Sequence, residues 1–419
     1  MHKNKIKILH TSDWHLGHSL YNTRREQAFS AFLDWMVETI DENQIDVLLV
    51  SGDVFDSGNP GNAVCSQYYG FLRRLLNTSC LHVVVTAGNH DSPSFLNAPA
   101  DILKIINVHT VAYAGSAMEG VEGVGKEVLV LRDSAGEPSL IVGAVPFLPD
   151  RVLRTMVSGE DSHDREAKVR EAVKAHYDAV AEVALHKREE FGFDLPIVAM
   201  GHLYAAGGKV TDGVRDLYVG GLGQVTAGAF SDVFDYVALG HLHVPQKVGG
   251  IEHIRYCGSP LPMGFNEASQ VKQVCIVTFE GDQKDIRTLD VPVFQRLERI
   301  EGDWDTVMAR LDALKAAEEN VWVEVVYTGE RIADLAQNLH KAVKDTAVRI
   351  LRIQNENLRM TAFGLLPEGE TLENLSPETV FERLMDKKSV AADKRKRLKE
   401  MYAEILLDIQ QDPEDREQV

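Results

Sequence analysis

Cysteine is scarce in this sequence: four residues in 419 (Cys65, Cys80, Cys257 and Cys275), far apart and without a Cys-x-x-Cys pair. That argues against a zinc ribbon and a disulfide framework, and fits reduced thiols in a cytoplasmic protein. Long apolar runs are missing as well. None approaches the roughly 20 residues of a membrane span. The basic start, Met1-His2-Lys3-Asn4-Lys5-Ile6, lacks the apolar stretch of a signal peptide. The expectation is a soluble cytoplasmic chain with no membrane partner. Basic charge is also short, with Lys+Arg 44 against Asp+Glu 63 and a formal net charge of −19. So acidic a chain cannot hold nucleic acid through its overall field, because neutralising phosphate takes clustered Lys and Arg. A nucleic-acid role would need local basic patches, metal ions or a basic partner. Repeats and low-complexity tracts are absent too. What remains is ordinary globular composition, 44% hydrophobic and 26% charged, with length for two to three domains at roughly 150 residues each.

Short apolar runs alternate with amphipathic helical patterns over residues 1–290. Ile6 to Leu9 predicts a buried strand ending in Thr11-Ser12-Asp13. Phe29, Phe32, Leu33, Met36, Val37 and Ile40 follow helical spacing. Asp46 to Val50 leads into Ser51-Gly52-Asp53, a helical pattern runs through Tyr68, Leu72 and Leu75, and His82 to Val85 leads into Gly88-Asn89-His90-Asp91. This order is that of an α/β sheet with helices on its faces. Ala114 to Val145 reads as hairpins and Glu166 to Glu190 as one long charged helix. Leu195 to Met200 and Tyr236 to Leu239 are strands running into Gly-His. His253 to Cys257 and Val274 to Phe279 read as later strands of a second, antiparallel-rich sheet. The fold class is therefore α/β, two packed sheets flanked by helices. Residues 291–355 predict a small strand–helix–strand–helix–strand unit, 356–374 a polar linker, and 375–412 two amphipathic helices opened by Ser376-Pro377.

Five polar clusters follow apolar strands: Asp13-Trp14-His15, Gly52-Asp53, Gly88-Asn89-His90-Asp91, Gly201-His202 and Gly240-His241-Leu242-His243. Open α/β sheets place functional groups at the carboxyl ends of their strands, so these clusters should meet on one rim. Each alone has an ordinary reading: Gly-Asp is mostly a turn, and Gly-His is mostly a satisfied core histidine. Together they form a donor set of Asp, Asn and neutral His, which suits divalent ions such as Mn(II) or Fe(II) and has no thiolate to favour structural zinc. A carboxylate bridging two ions beside a water suits hydrolysis of phosphate esters.

That ordered set resembles the calcineurin-like metallophosphoesterases. The flanking text, His10-Thr11-Ser12-Asp13-Trp14-His15-Leu16-Gly17, Gly52-Asp53-Val54-Phe55-Asp56, Val214-Arg215-Asp216 and Arg255-Tyr256-Cys257-Gly258-Ser259-Pro260, is similar to that of nuclease subunits in this family. The resemblance implies one metal on Asp13, His15 and His243, a second on Asn89, His202 and His241, and Asp53 bridging them. It makes His90 the group over the phosphate, acting as general acid, with Asp91 orienting its imidazole. Asp56 departs from the family pattern, standing where some relatives carry a second catalytic histidine.

The resemblance also implies two divalent ions, most readily Mn(II), with Fe(II), Zn or Mg possible from the same ligands. It implies DNA ends and hairpins as substrates, cut by exonuclease and single-strand endonuclease activity. The partner it implies is an ABC-type ATPase with a long coiled coil, in a two-plus-two assembly with a homodimer of the nuclease subunit. Residues 291–355 would be a capping domain that positions DNA, and the last two helices would clasp the coiled coil. The basic cluster Lys387, Lys388, Lys394 to Arg397 and Lys399 reads as a solvated helix face or as a contact with DNA. Two rivals stand beside this reading: a phosphoesterase for small nucleotides or phosphoproteins, and a scaffold that has lost catalysis.

Overall fold

A computed structural model describes residues 5–116, 120–149, 152–153, 162–192, 194–205, 225–281, 283–330 and 332–355, with scattered residues between 381 and 402. Strands β1 (Lys5–Thr11), β4 (Val47–Ser51), β5 (His82–Thr86) and β6 (Val108–Val111) run parallel in the first six-stranded sheet. A hairpin of two-residue strands, β2 (Ser19–Leu20) and β3 (Thr23–Arg24), stands apart from it. The second sheet holds β7 (Val128–Arg132), β8 (Pro138–Ala144), β9 (Ile197–His202), β10 (Tyr236–Gly240), β11 (Gln246–Lys247) and β12 (Ile254–Tyr256), in the order β11-β12-β10-β9-β8-β7.

The two sheets stack face to face. Ile8, Leu49 and Val84 from the first meet Val142, Met200 and Ala238 from the second in a fully buried layer. Helices cover the outer faces. On the first sheet lie α1 (Glu26–Glu42) and α2 (Asn62–Leu75), through Phe29, Phe32, Met36 and Phe71. On the second lies α3 (Ser162–Phe191), through Val173, Tyr177, Val180 and Ala184. Central strands buried on both faces read as continuous apolar runs rather than alternations, as in the fully buried Val47–Ser51.

The later strands part company, against the expectation from the sequence. The two late strands do not share a second, antiparallel-rich sheet. Ile254–Tyr256 pairs parallel with β10, whereas β13 (Gln273–Glu280) returns to the first sheet and pairs antiparallel with β1, carrying β14 (Gln283–Asp290) at its edge. Both segments have the same apolar texture, and which neighbour a strand takes is set by contacts distant in sequence. The second sheet is parallel through β8, β9, β10 and β12.

Beyond Asp290 a three-stranded parallel sheet forms, β15 (Arg296–Gly302), β16 (Val321–Tyr327) and β17 (Arg349–Asn355), crossed by α4 (Trp304–Ala316) and α5 (Leu335–Ala342). Val307, Leu311 and Leu339 close a core against Val323 and Val325. Leu297 and Trp322 pack on Leu20 and Phe265 of the larger body. The linker, most of the C-terminal helical segment and its basic cluster, and Val214-Arg215-Asp216 lie outside the described residues.

Candidate metal centre

Parallel strands β1, β4 and β5 of one sheet and β9 and β10 of the other end on a common rim. The first two loops are zipped together: backbone N–H groups of Asp13, His15 and Leu16 donate to the carbonyls of Gly52 (3.1 Å), Asp53 (3.0 Å) and Val54 (2.9 Å). Between Asp13 and His15, the indole of Trp14 is fully buried, edge-on to Phe32 and Phe71, with Nε1–H donated to Thr11 Oγ1 at 2.9 Å. The anchored ring leaves its two neighbours to turn onto the rim. Asp13 (φ 53°), His15 (φ 46°), Asp53 (φ 49°) and His241 (φ 101°) all lie in left-handed backbone. Such conformations cost energy in non-glycine residues and collect where function over-determines the structure. Two glycines clear the space: a Cβ on Gly88 would stand 2.1 Å from Asp53 Oδ1, and one on Gly240 1.9 Å from the Ser51 carbonyl.

The rim gathers two neighbouring groups, and a third set, His15, Asp56 and His90, overlaps the first. Asp13, His15 and His243 form one, and Asp53, His202 and His241 the other; within each, one candidate ligand atom per residue lies within 4.8 Å of the rest. Asn89 joins the second, its Oδ1 3.0 Å from both His202 Nε2 and His241 Nδ1. Asp53 lies between them: Oδ2 is 3.2 Å from His202 Nε2 and 3.6 Å from His15 Nε2, while Oδ1 accepts the His90 backbone N–H at 2.8 Å. Asp13 Oδ1 accepts the His241 N–H at 2.8 Å, tying the ends of β1 and β10 together.

Burial would raise the Asp53 carboxyl, but the imidazoles of His202, His15 and His90 hold it well below the usual carboxylate range. Burial would lower His202; Asp53 and Asp13 outweigh it and lift the imidazole to about 9. His15 and His241 are both lowered, chiefly by burial, which keeps them as neutral lone-pair donors. Both ring nitrogens of His15 are buried and make no hydrogen bond among the described residues. An imidazole left so is costly unless something else meets it. A divalent cation fits these oxygen and nitrogen donors, and the position of His15 beside Asp53 and Asp13.

Residues 6–245 match the calcineurin-like phosphoesterase family, and residues 293–389 match the type 5 capsule protein repressor C-terminal domain. The D subunit of the nuclease SbcCD from Escherichia coli K12 is 35% identical over 405 residues, covering 96% of this chain and 98% of that protein. Its namesake from Bacillus subtilis strain 168 is 35% identical over 274 residues, 65% of this chain and 66% of that protein.

The chain belongs to the calcineurin-like phosphoesterases. Within that family it stands with the SbcCD D subunits, and it is a phosphodiester hydrolase of the nuclease kind. The phosphoesterase fold implies two divalent metal ions.

In this phosphoesterase, Asp91 does not orient His90. Its buried carboxylate turns inward and accepts the backbone N–H groups of Val54 (3.1 Å), Phe55 (2.9 Å) and Gly88 (2.9 Å). Burial and the nearby Asp53 push that carboxyl up to about 6. The imidazole of His90 is fixed instead by Nδ1–H donated to the Asp56 carbonyl at 3.0 Å. Neighbours in sequence face opposite ways, so adjacency to His90 says nothing about contact. The Asp56 carboxylate lies 3.5 Å from His15 Nδ1 and 2.9 Å from His18 Nδ1.

Sequence reasoning missed Glu267 and Lys272. Glu267 Oε1 lies 3.2 Å from His243 Nδ1, and Oε2 accepts from Lys272 Nζ (2.7 Å) and the Met263 N–H (2.9 Å). Both side chains are buried. Glu267 ends a single 3-10 turn, Phe265–Glu267, too short to leave a periodic signal. Only the neighbouring Cys257-Gly258-Ser259-Pro260 text marked the region, and Lys272 Nζ does reach Ser259 Oγ at 3.0 Å.

Proposed function

We propose that this chain is the Mn-dependent nuclease subunit of a complex with an SbcC-type coiled-coil ATPase, trimming DNA ends and opening hairpins in DNA repair, replication and recombination. The observation that carries the reading is the place of Asp53, one carboxylate oxygen of which faces an imidazole of each group. Asp13, His15 and His243 would hold one ion, Asn89, His202 and His241 the other, with Asp53 shared. Bound there, the ions would supply Lewis acidity toward the phosphate and acidify a water. Manganese suits a site of carboxylate, amide and imidazole without thiolate.

The protein's own groups do the rest. His90, fixed through Nδ1, lines a cavity of about 730 Å³ above the rim; as the doubly protonated imidazolium it would give its Nε2 proton to the departing oxygen and keep the one on Nδ1. Glu267 fixes the His243 ring by its Nδ1 side, a carboxylate–histidine arrangement that orients a ligand for its metal. Positive charge concentrated in the centre and in a basic partner would answer the −19 of the chain. For assembly, Ile102 (72% exposed) and Ile105 (81%) present an apolar patch at the short helix Ala100–Lys104, suited to the pairing of two nuclease subunits. The C-terminal helices would clasp the ATPase coiled coil, in a two-plus-two cytoplasmic assembly.

The test compares Mn-dependent release of nucleotides from linear DNA with hydrolysis of a small phosphodiester. The expected result is that DNA is degraded and that the ATPase stimulates it. Turnover of the small ester alone, with the ATPase present, would exclude the nuclease reading.

A further inference from the structure

Strand β16 is buried along its whole length, Val321-Trp322-Val323-Glu324-Val325-Val326-Tyr327, and one residue breaks its apolar run. The Glu324 side chain is only 3% exposed. A carboxylate there is costly to desolvate unless paired, so its partners show what it is for. Arg352 on β17 donates to it through Nη1 at 3.1 Å and Gln354 through Nε2 at 2.9 Å, while Arg299 Nε on β15 lies 3.8 Å away. One buried carboxylate thus gathers two guanidinium groups on one face of the small sheet.

Those groups roof the cavity whose floor is the metal centre: His15, His90 and His243 lie below, Arg299, Arg352 and Gln354 above. The larger body also holds Arg352. Its Nη1 donates to the Tyr21 hydroxyl at 2.7 Å and its guanidinium sits 5.0 Å from the Tyr21 ring centroid, with that ring stacked on Phe265. Tyr21 occupies the β2–β3 turn, where left-handed backbone at Tyr21 and Asn22 makes the hairpin tight. Most of the donors stay available. Arg299 makes no hydrogen bond among the described residues; its nearest other carboxylate is the exposed Glu301, 3.6 Å from Nη2. Among the described residues, the hydrogen bonds of Arg352 leave from Nη1. Both side chains are 44% exposed. Planar, preorganised guanidinium groups with unused N–H pairs, facing a phosphodiesterase centre in a chain of net charge −19, match a phosphate anion.

We propose that Arg299 and Arg352, set by Glu324, clamp a backbone phosphate of the DNA strand adjacent to the phosphate being cleaved. The inference rests on the nuclease reading and assigns the substrate contact to these two residues. Contacts to phosphate position a strand without reading its bases.

The experiment measures KM and kcat of the full chain with Mn(II) on two single-stranded oligonucleotides of different sequence, across a range of salt. Arg299→Gln carries the test, because this half-exposed side chain makes no hydrogen bond whose loss would unfold the protein. Arg352→Gln is made together with Glu324→Gln, so that no buried carboxylate is orphaned. The expected result is a rise in KM of about tenfold on both sequences, with kcat changed less. The slope of log KM against log salt should also become shallower by about 0.7 for each phosphate no longer engaged. Arg299→Lys should restore that slope. A variant with unchanged KM and slope, or with loss confined to kcat, overturns the clamp. If the wild type hydrolyses a small phosphodiester but leaves both oligonucleotides uncut, the nuclease reading itself has failed, and the clamp falls with it.

Discussion

His90 illustrates how much a single side chain can be asked to do. It lines the cavity, its Nδ1 is committed to the Asp56 carbonyl, and its backbone N–H is committed to Asp53. Those bonds fix the ring without using Nε2, leaving that nitrogen for the leaving oxygen. General acid catalysis of this kind is worth about 10²- to 10⁴-fold. His90→Gln should therefore keep its bound metal, measured by elemental analysis, while DNA cleavage drops by that factor. Unchanged cleavage would show that the ring has no chemical part. The same residue marks the boundary of sequence reading. That Asp13, His15, Asp53, Asn89, His202, His241 and His243 gather on one rim was legible, because each lies just past an apolar strand, mostly beside a glycine. The orientation of His90 was not, since it depends on a backbone carbonyl 34 residues away, and backbone groups leave no trace in residue type.

Strands and loops follow the same division. The central strands announced themselves as short apolar runs, and α1 by its spacing, because burial on a sheet imposes those periods locally. The return of β13 to the first sheet was hidden, since strand pairing is a long-range choice. The loop from Phe265 to Lys272 was hidden for another reason: it has polar texture and works by holding other loops. Burial would raise the Glu267 carboxyl, but the His243 imidazole and the Lys272 ammonium hold it far below the ordinary glutamate range. A carboxyl depressed in the folded state contributes stability above its unfolded value near 4.5, and loses it only as pH falls through the lower folded value. Glu267→Gln in chelator-treated protein should thus cost about 3 kcal/mol at pH 7, in urea unfolding. It should cost nearly as much at pH 5. A penalty already gone at pH 5 would mean that the pair is no ionic anchor.

Across the whole molecule, the two sheets and their helices serve to bring strand ends separated by more than two hundred residues onto one rim, with the small parallel sheet as its roof. The roof's succession of strands and helices was legible from the alternation of patterns beyond residue 291. Its contact with the centre was not, because Tyr21, Glu324 and Arg352 are unremarkable until the fold places them together. A two-ion centre of this kind needs Asp53 to serve both ligand groups, and metal stoichiometry tests that most directly. Titration of chelator-treated protein with Mn(II), followed by calorimetry, should give two ions per chain for the wild type, and Asp53→Asn should weaken both sites together. A wild type that binds one ion, or an Asp53→Asn variant that keeps one site at full affinity, would contradict a shared carboxylate.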